Sequence, residues 1–435
     1  MAAMTVLGIV LFFLGILFSV FWHELGHFTT ARWFGIKVPE FFVGFGKTVW
    51  SRKRGETEFG LKAIPLGGYI RMIGMIPPAR GELLGSSRRT GPFQGLIDDV
   101  RRQSADEVSP EDADRQFYLR APWKRIIVMF AGPFMNLVLA VVLFGIQLMV
   151  IGLPTGTTTT VSAVSACVVS ASAPTAECPP GAPPTPAAAA GFKAGDRIVA
   201  FQGVNYAPED WSRLQAAIRS SSGTVDVTVE RDGQLVQLRP TLITTQLPAL
   251  DANGDATGGT VQASFLGLTP VQFYEQQSVG AVVNQIGFVI GRTGEAIVQL
   301  PQRVPGLFGS VFLGEKRDVN GPVGIVGASR IGGEVLALEE PFAVELSFFL
   351  QLLAAVNISL FLFNLLPIPP LDGGQIFPAI WESIRRRIAK LRGKPDPGPV
   401  DVAKLMPVAY VVAIVFIAWS GLLFIADIIN PVTLS

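Results

Sequence analysis

The chain has 435 residues, of which 49% are hydrophobic and only 16% are charged. Soluble domains carry about 25% charged residues, so this composition excludes a nucleic-acid-binding protein, a disordered chain and a coiled coil. Thirty-five Lys and Arg against 34 Asp and Glu leave a net charge of +1, which selects neither an acidic nor a basic partner. The mean hydropathy of +0.43, with the apolar residues bunched together, indicates a membrane protein with soluble parts.

Four apolar stretches are long enough to cross a bilayer, which takes about 20 residues. They cover about 4–34, 126–153, 344–368 and 406–429. The first lacks a cleavage site and is predicted to be retained rather than removed as a signal peptide. Basic residues concentrate in 34–124 and 382–404, and the positive-inside rule places both loops in the cytoplasm. We therefore expect a multi-pass protein of the cell (inner or plasma) membrane, with both termini and 154–343 extracytoplasmic.

The predicted outer segment opens with a linker over 154–190. This stretch is rich in Pro, Ala, Thr and Ser, a composition typical of an extended, poorly ordered spacer. It contains Cys167 and Cys178, and outside the cytoplasm two such thiols either form a disulfide or stay free. The sequence leaves both states open.

Residues 191–270 predict a small α+β domain after this linker. An amphipathic helix is expected over 208–219, capped at Asp210, and the Asp232-Gly233 pair predicts a tight turn between two strands. The pattern resembles a PDZ domain in circularly permuted form. That resemblance implies a peptide-binding loop formed by Phe265, Leu266, Gly267 and Leu268, which would bind peptide or C-terminal ligands.

The only two histidines of the chain, His23 and His27, lie in one His-Glu-Leu-Gly-His motif. Their i, i+4 spacing puts both imidazoles on one helix face, with Glu24 beside them, which is the pattern of a zinc hydrolase. The alternative is a pair of helix-packing histidines. Ionisable residues inside a membrane helix are costly and favour a functional role.

A zinc site needs a third protein ligand, and Asp372 is the best candidate. The third apolar span is broken by Pro367, Pro369 and Pro370 before this aspartate and two glycines. Irregular backbone at membrane depth is tolerated only where protein or a water-filled cavity lines it. The first and third spans run in the same direction, so the histidines and Asp372 are predicted to meet. The alternative is a plain helix end with a capping aspartate.

The His23–His27 motif and Leu371-Asp372-Gly373-Gly374 resemble the two signatures of the site-2 protease family of intramembrane zinc metalloproteases. The likeness is closest to bacterial members that perform regulated intramembrane proteolysis. Segments 44–46 with 58–72, 130–136 and 321–325 resemble further parts of the family. The resemblance implies one Zn²⁺ per chain, held by His23, His27 and Asp372, with Glu24 as the general base and the site near the cytoplasmic side.

The same resemblance implies how a substrate would be held. Asn364 would hydrogen-bond the substrate backbone. A membrane-dipping β-hairpin over about 44–72 would hold an unwound segment, and its substrate-binding residues would be Gly44, Phe45, Gly46, Gly67 and Gly68. The implied partners are the lipid bilayer and transmembrane protein substrates, either pre-cleaved anti-sigma factors or remnant signal peptides; no nucleic acid is expected. Gln375 departs from the family where relatives often have His, and 78–115 matches nothing in it.

The predicted fold is a polytopic α-helical membrane protein with about four transmembrane helices, a membrane-dipping β-hairpin and one circularly permuted PDZ-like α+β domain. The predicted segments are 1–34 (first span with the zinc motif), 35–125 (cytoplasmic loop), 126–153 (second span), 154–190 (linker), 191–270 (PDZ-like), 271–343 (amphipathic connection), 344–381 (third span with Asp372), 382–404 (basic loop) and 405–430 (fourth span). Two alternatives remain: a membrane-anchored zinc protease acting on soluble or interfacial substrates, and a non-enzymatic PDZ scaffold.

Overall fold

The computed structural model describes residues 2–78, 94–168, 178, 181–250, 256–315, 317–318, 321–335 and 342–432. The chain forms two compact units. The first unit comprises the chain up to Met149 and from Ser278 onward, and the second unit is Val150–Gln277. Part of the unassigned 78–115 insertion, residues 79–93, lies outside the described residues.

The regular elements run in the following chain order. The helices are α1 (Ala2–Trp33), α2 (Gln94–Asp106), α3 (Pro122–Gly145), α4 (Pro186–Ala190), α5 (Trp211–Ser220), α6 (Val279–Phe312), α7 (Ile325–Val335), α8 (Phe342–Asn364), α9 (Gly373–Leu391) and α10 (Met406–Ile429). The strands are β1 (Glu40–Arg54), β2 (Thr57–Arg71), β3 (Leu153–Val164), β4 (Arg197–Phe201), β5 (Val204–Asn205), β6 (Val227–Arg231), β7 (Gln234–Leu238), β8 (Ile243–Leu250), β9 (Ala256–Phe265) and β10 (Leu268–Glu275).

Four segments of the described residues are long and apolar enough to span a membrane, as the sequence predicts. They are Met4–Trp33, Pro122–Ile151, Phe342–Asn364 and Val402–Ile429. Within the first unit α1, α3 and α8 share an apolar core, in which Phe12 and Phe144 are fully buried beside Ile358. The apolar side chains that remain exposed on these helices are the surface that lipid would cover.

The third predicted segment, 344–381, is two helices rather than one. Helix α8 ends at Asn364, turns follow through the proline-rich stretch, and α9 begins immediately after Asp372. Proline removes a backbone donor and clashes with the preceding turn, which is why the break predicted from the three prolines occurs here. Because of the break, the chain can change direction between Asn364 and Asp372.

The 271–343 segment, predicted to be an amphipathic connection, is helical over most of its described part. Strand β10 continues to Glu275, beyond the predicted domain end at 270, and is followed by the 34-residue helix α6 and the shorter α7. Residues 336–341 lie outside the described residues. Helix α7 packs closely on α1, since a side chain at Gly332 would overlap Phe12.

Strands β1 and β2 form a folded sheet that begins before the predicted 44–72 hairpin. Residues 40–43 pair with 58–61 on one side and with 68–71 on the other, while 50–54 pair with 57–61. The segment order is therefore 50–54, 57–61, 40–43 and 68–71, with 68–71 at one edge. The chain folds back at glycines with positive φ, Gly44 (95°), Gly46 (86°) and Gly67 (114°), a conformation that side chains disfavour.

The second unit is a β-sheet with a helix packed on it. The strand order is β10-β3-β4-β6-β7, with β5 paired to β4, and β8 and β9 form a separate two-stranded ribbon. The predicted turn at Asp232-Gly233 is present, with φ of 51° and 77°, the conformation of a type I′ turn. Helix α5 begins directly after Asp210, whose carboxylate accepts from the Ala207 N–H rather than from the first turn of the helix.

The spacer predicted over 154–190 is wrong for its first part. Strand β3 occupies Leu153–Val164 and pairs antiparallel with both β10 and β4. Its threonines are β-branched and fit a pleated surface, a property that a composition-based reading of the segment misses. The structure also joins Cys167 and Cys178 in a disulfide, which the sequence left open.

Candidate metal centre

The two histidines of α1 converge at a buried point in the first unit. His23 and His27 are 8% and 4% exposed, and their Nε2 atoms lie 3.1 Å apart. One helical turn separates the two residues, so both rings project from the same face of α1.

Asp372 completes a cluster with these two imidazoles. Its Oδ2 lies 3.2 Å from His23 Nε2 and its Oδ1 lies 3.3 Å from His27 Nε2. The three ligand atoms form the one His, Cys, Asp and Glu group with metal-site spacing found in the described residues. The predicted meeting of the first and third spans is therefore realised at the atoms that would bind a metal.

The spacing of these atoms fits a zinc ion. Zinc bonds to nitrogen and oxygen of about 2.0–2.1 Å at tetrahedral angles place neighbouring ligand atoms about 3.3 Å apart. The imidazole–imidazole and imidazole–carboxylate separations, 3.1, 3.2 and 3.3 Å, have that length. Three protein ligands also leave a fourth position for water, as in catalytic zinc sites.

A backbone contact orients His27 towards this point. Its Nδ1 lies 2.7 Å from the Val128 carbonyl oxygen on α3, so the Nδ1–H donates there and the Nε2 lone pair is left for a metal. One turn further along α3, a side chain at Gly132 would overlap the His27 ring. Only glycine permits this approach of the two helices.

Glu24 lies between the cluster and the edge of the folded sheet. A Cβ at Gly68 would come within 3.0 Å of Glu24 Cγ and 3.0 Å of Val20 Cγ1. The edge segment 68–71 therefore runs beside the motif helix.

The remaining predicted site residues are not joined to this cluster by a described contact. Asn364 is the last residue of α8, and its side-chain amide donates to the Leu360 carbonyl at 3.0 Å. Gly44, Phe45, Gly46 and Gly67 lie at the bends of the folded sheet, where Phe45 stacks on Tyr69. Phe265, Leu266, Gly267 and Leu268 connect β9 to β10 in the second unit, and Leu266 is buried in that unit's core.

Sequence reasoning missed the supporting residues on α3. Val128 and Gly132 contact His27, yet neither carries a chemical group that marks it as part of a site. The available signal was a glycine inside an otherwise apolar span, which indicates close approach of another element. The resemblance of 130–136 to the family assigns no role to its residues.

Two histidines and an aspartate have metal-site spacing and lie in a unit whose helices are long enough to span a membrane. This combination indicates a membrane-embedded metalloenzyme. The model of Peptidase family M50 matches residues 11–406. The chain is 36% identical to the zinc metalloprotease Rip1 of Mycobacterium tuberculosis strain H37Rv over 99% of both proteins, and 36% identical to Rip1 of Mycolicibacterium smegmatis over 98% of both. It is 29% identical to the metalloprotease MmpA of Caulobacter vibrioides over 87% of this chain.

The chain belongs to Peptidase family M50, the site-2 protease family of intramembrane zinc metalloproteases. The resemblance inferred from the two motifs is thereby confirmed, together with the enzyme class and the zinc cofactor. The protein is a multi-pass membrane zinc metalloprotease.

Proposed function

We propose that the protein cuts peptide bonds inside transmembrane segments of membrane proteins, with His23, His27 and Asp372 holding the zinc ion. The observation that carries the proposal is the triangle of ligand atoms with 3.1–3.3 Å sides. Bound zinc supplies a water whose pKa lies near neutrality and polarises the scissile carbonyl.

Glu24 is the general base of this proposal. It neighbours both histidines in α1 and is not one of the three clustered ligands. Its carboxylate would accept the proton of the attacking water and pass it to the leaving amide nitrogen. Gly68 lies against the Glu24 side chain, which places the carboxylate beside the edge segment 68–71.

The folded sheet is the proposed holder of the unwound substrate. A transmembrane helix offers no free backbone groups, so an extended conformation must be stabilised before cleavage. Segment 68–71 pairs with 40–43 on one side alone, and its other edge can add a substrate strand. Apolar side chains are exposed around the bends, as a sheet that dips into lipid requires: Phe45, Val49, Trp50, Leu61 and Ile64.

Asn364 is proposed to bind the substrate backbone. It ends α8 eight residues before Asp372. Its amide nitrogen donates to Leu360, and the side-chain oxygen remains available as an acceptor for a substrate N–H. The second N–H of the amide can still donate, so Asn364 can hydrogen-bond both a backbone N–H and a backbone carbonyl of the substrate.

The second unit is proposed to be a circularly permuted PDZ domain. The Phe265–Leu268 loop leads directly into β10, and β10 is an edge strand of its sheet. Peptide ligands add to such an edge while backbone amides of the preceding loop bind a C-terminal carboxylate. We propose that this unit is extracytoplasmic, that the metal centre lies near the cytoplasmic face, and that substrates are anti-sigma factors already shortened outside, or remnant signal peptides.

The test is cleavage of a transmembrane reporter by the full chain and its Glu24→Gln variant in membranes, with zinc measured in both. We expect the variant to keep zinc and lose cleavage, because all three ligands remain. Zinc loss on this substitution would make Glu24 a ligand and overturn its role as base. Cleavage of soluble but not of transmembrane reporters would support an interfacial protease instead, and a zinc-free wild type would support a scaffold.

A further inference from the structure

Three fully buried polar side chains form a layer inside the first unit. Ser19, Asn136 and Asn357 are each 0% exposed. The Asn357 amide donates to Ser19 Oγ at 2.9 Å and to the Leu353 carbonyl at 2.8 Å. Ser19 in turn donates to the Gly15 carbonyl at 2.9 Å. Part of the layer is thus held by direct hydrogen bonds between α1 and α8.

Asn136 lies at the level of His23 on the facing helix. Helices α1 and α3 run antiparallel, because Trp22 Nε1 donates to the Met135 carbonyl at 3.0 Å whereas His27 meets Val128. His23 lies one turn before His27 on α1. Because the helices are antiparallel, His23 faces the residue one turn after Gly132 on α3, which is Asn136.

Asn136 also occupies the α3 face that supports the histidines. Val128, Gly132 and Asn136 are spaced i, i+4, i+8 and share one side of the helix. The first two contact His27, so the third continues the same face towards His23.

The layer separates the metal centre from the apolar interior. On the side of the layer away from the histidines, Ile16, Ala140 and Ile358 pack together in one core cluster. Apolar side chains would continue that packing at lower cost, since burying an unpaired amide costs about 1–3 kcal/mol by protein mutational measures. The position of the polar layer beside the metal ligands therefore indicates that its side chains bind a small polar molecule.

Several polar atoms around this layer have no hydrogen-bond partner among the described residues. They are both amide atoms of Asn136, Oδ1 of Asn357 and Nδ1 of His23. Metal-binding histidines almost always donate their second ring N–H to an acceptor, and His27 does so to Val128. Oδ1 of Asn136 and Oδ1 of Asn357 can accept a hydrogen bond, and the amide of Asn136 and Nδ1–H of His23 can donate one. This set matches the two to four partners that a buried water needs.

We propose that Asn136 and Asn357 bind ordered water that accepts the hydrogen bond of His23 Nδ1, which makes both asparagines positioning residues for this metal ligand. The water does for His23 what the Val128 carbonyl does for His27. This inference rests on the proposed metal site and adds a site for a small neutral hydrogen-bonding molecule.

The chain allows a direct spectroscopic test because it has two histidines. In the zinc-loaded full chain with ¹⁵N-labelled histidine, Asn136→Leu should move the Nδ1–H signal of His23 and leave that of His27, which is bonded to Val128. Zinc affinity, measured by chelator competition, should fall by about 10–100-fold, the usual loss for an outer hydrogen-bond partner of a ligand. Asn136→Ser keeps a hydroxyl for the water and should restore most of that affinity.

Gln147→Leu is the matched control. It removes another buried amide, in the helical turn that follows α3, which is bonded to Ser347 and Gln351 rather than placed beside the histidines, and should change neither readout. An unmoved His23 signal in Asn136→Leu overturns the proposal, and so does a raised KM at unchanged zinc affinity, which would make Asn136 a substrate contact. His23→Ala separates the two proposals, because retention of zinc there would overturn the metal site itself.

Discussion

The two units of the chain differ in how many of their buried side-chain polar atoms lack a hydrogen-bond partner among the described residues. In the second unit Asp196 is bonded to Arg231 through both carboxylate oxygens, and Thr185 bonds both the Ser165 carbonyl and the Ala188 N–H. Thr159 Oγ1 is the one buried side-chain polar atom without a partner in the described part of that unit.

In the described part of the first unit such atoms are more numerous and are spread over the unit, and one group of them lies at the metal centre and the layer beside it. Asp372 Oδ2, His23 Nδ1 and both amide atoms of Asn136 belong to this group. A fold that only needs stability satisfies its buried polar groups, because each unpaired one costs free energy. The group at the metal centre therefore favours the first unit as the one that performs chemistry.

The largest expected effect follows from removing a proposed ligand in the first unit. Asp372→Ala deletes the carboxylate that lies within 3.3 Å of both imidazoles. We expect cleavage to fall to background and zinc affinity to fall by more than the about 10–100-fold typical of outer-shell losses. Metal analysis of the purified variant checks this, and full zinc occupancy with dead chemistry would place Asp372 outside the ligand set.

A substitution that adds atoms should act almost as strongly. Gly132→Ala places a methyl group into the His27 ring, and overpacking of this kind typically costs about 1–3 kcal/mol. We expect lower thermal stability together with weaker zinc binding, because the ring must shift. The control is Gly145→Ala at the end of the same helix, where a Cβ meets nothing within 4 Å. Equal effects of the two would contradict the close-packing explanation.

The first unit was more predictable from sequence than the second, for physical reasons. Histidine spacing within one helix is a local property, and three prolines break any helix, so His23, His27 and the break before Asp372 follow from the chain itself. Strand pairing is non-local. Nothing within 154–164 indicates that β10, more than 100 residues later, supplies the partner that orders β3.

The contribution of Val128 and Asn136 was likewise beyond sequence reasoning. One acts through a backbone carbonyl, which every residue possesses, and the other is an amide whose significance depends on the level at which α1 and α3 cross. The double pairing of residues 40–43 also depends on bends at three glycines rather than on strand periodicity.

A moderate loss of stability is expected when the buried carboxylate of Asp196 in the second unit is removed. Burial raises the pKa of the Asp196 carboxyl, but hydrogen bonds from Arg231 and the Lys193 N–H, with the Arg231 charge, hold it below its ordinary 3.8. A lowered folded-state pKa means that the stabilisation is present above about pH 4 and is lost as the pH falls through the lowered value.

Asp196→Ala should destabilise the second unit by about 1.5–3 kcal/mol, the usual contribution of hydrogen bonds to a charged group. Hydrogen exchange of the full chain at neutral pH measures this as lost protection in β4 and β6, with zinc content unchanged. Asp226→Ala is the control, since its ion pair with Arg239 is exposed on both sides and such pairs contribute about 0–1 kcal/mol. Lost protection in both variants alike would contradict the role given to burial.

The smallest expected effect on the metal centre comes from removing the second unit altogether, provided that the cut follows the structure. A deletion of 191–270, the predicted domain, would remove β4, which pairs with β3, and divide β10 after its third residue. The ends of the unit instead meet at one place, where Leu153 pairs with Glu275 and Gln276 Nε2 donates to the Val150 carbonyl at 3.2 Å.

A short Gly-Ser linker replacing 151–276 should therefore preserve the helices on either side. Zinc affinity should stay within about twofold of the full chain, because the described ligands and Val128 all belong to the first unit and distant sites act independently. If the second unit is a filter that captures peptides and excludes bulky substrates, the deletion variant should cut a pre-shortened reporter at the wild-type rate and also cut an unshortened one. A folded, zinc-loaded variant that cuts neither would show that the second unit takes part in gating or catalysis, and the division of labour between the two units would be wrong.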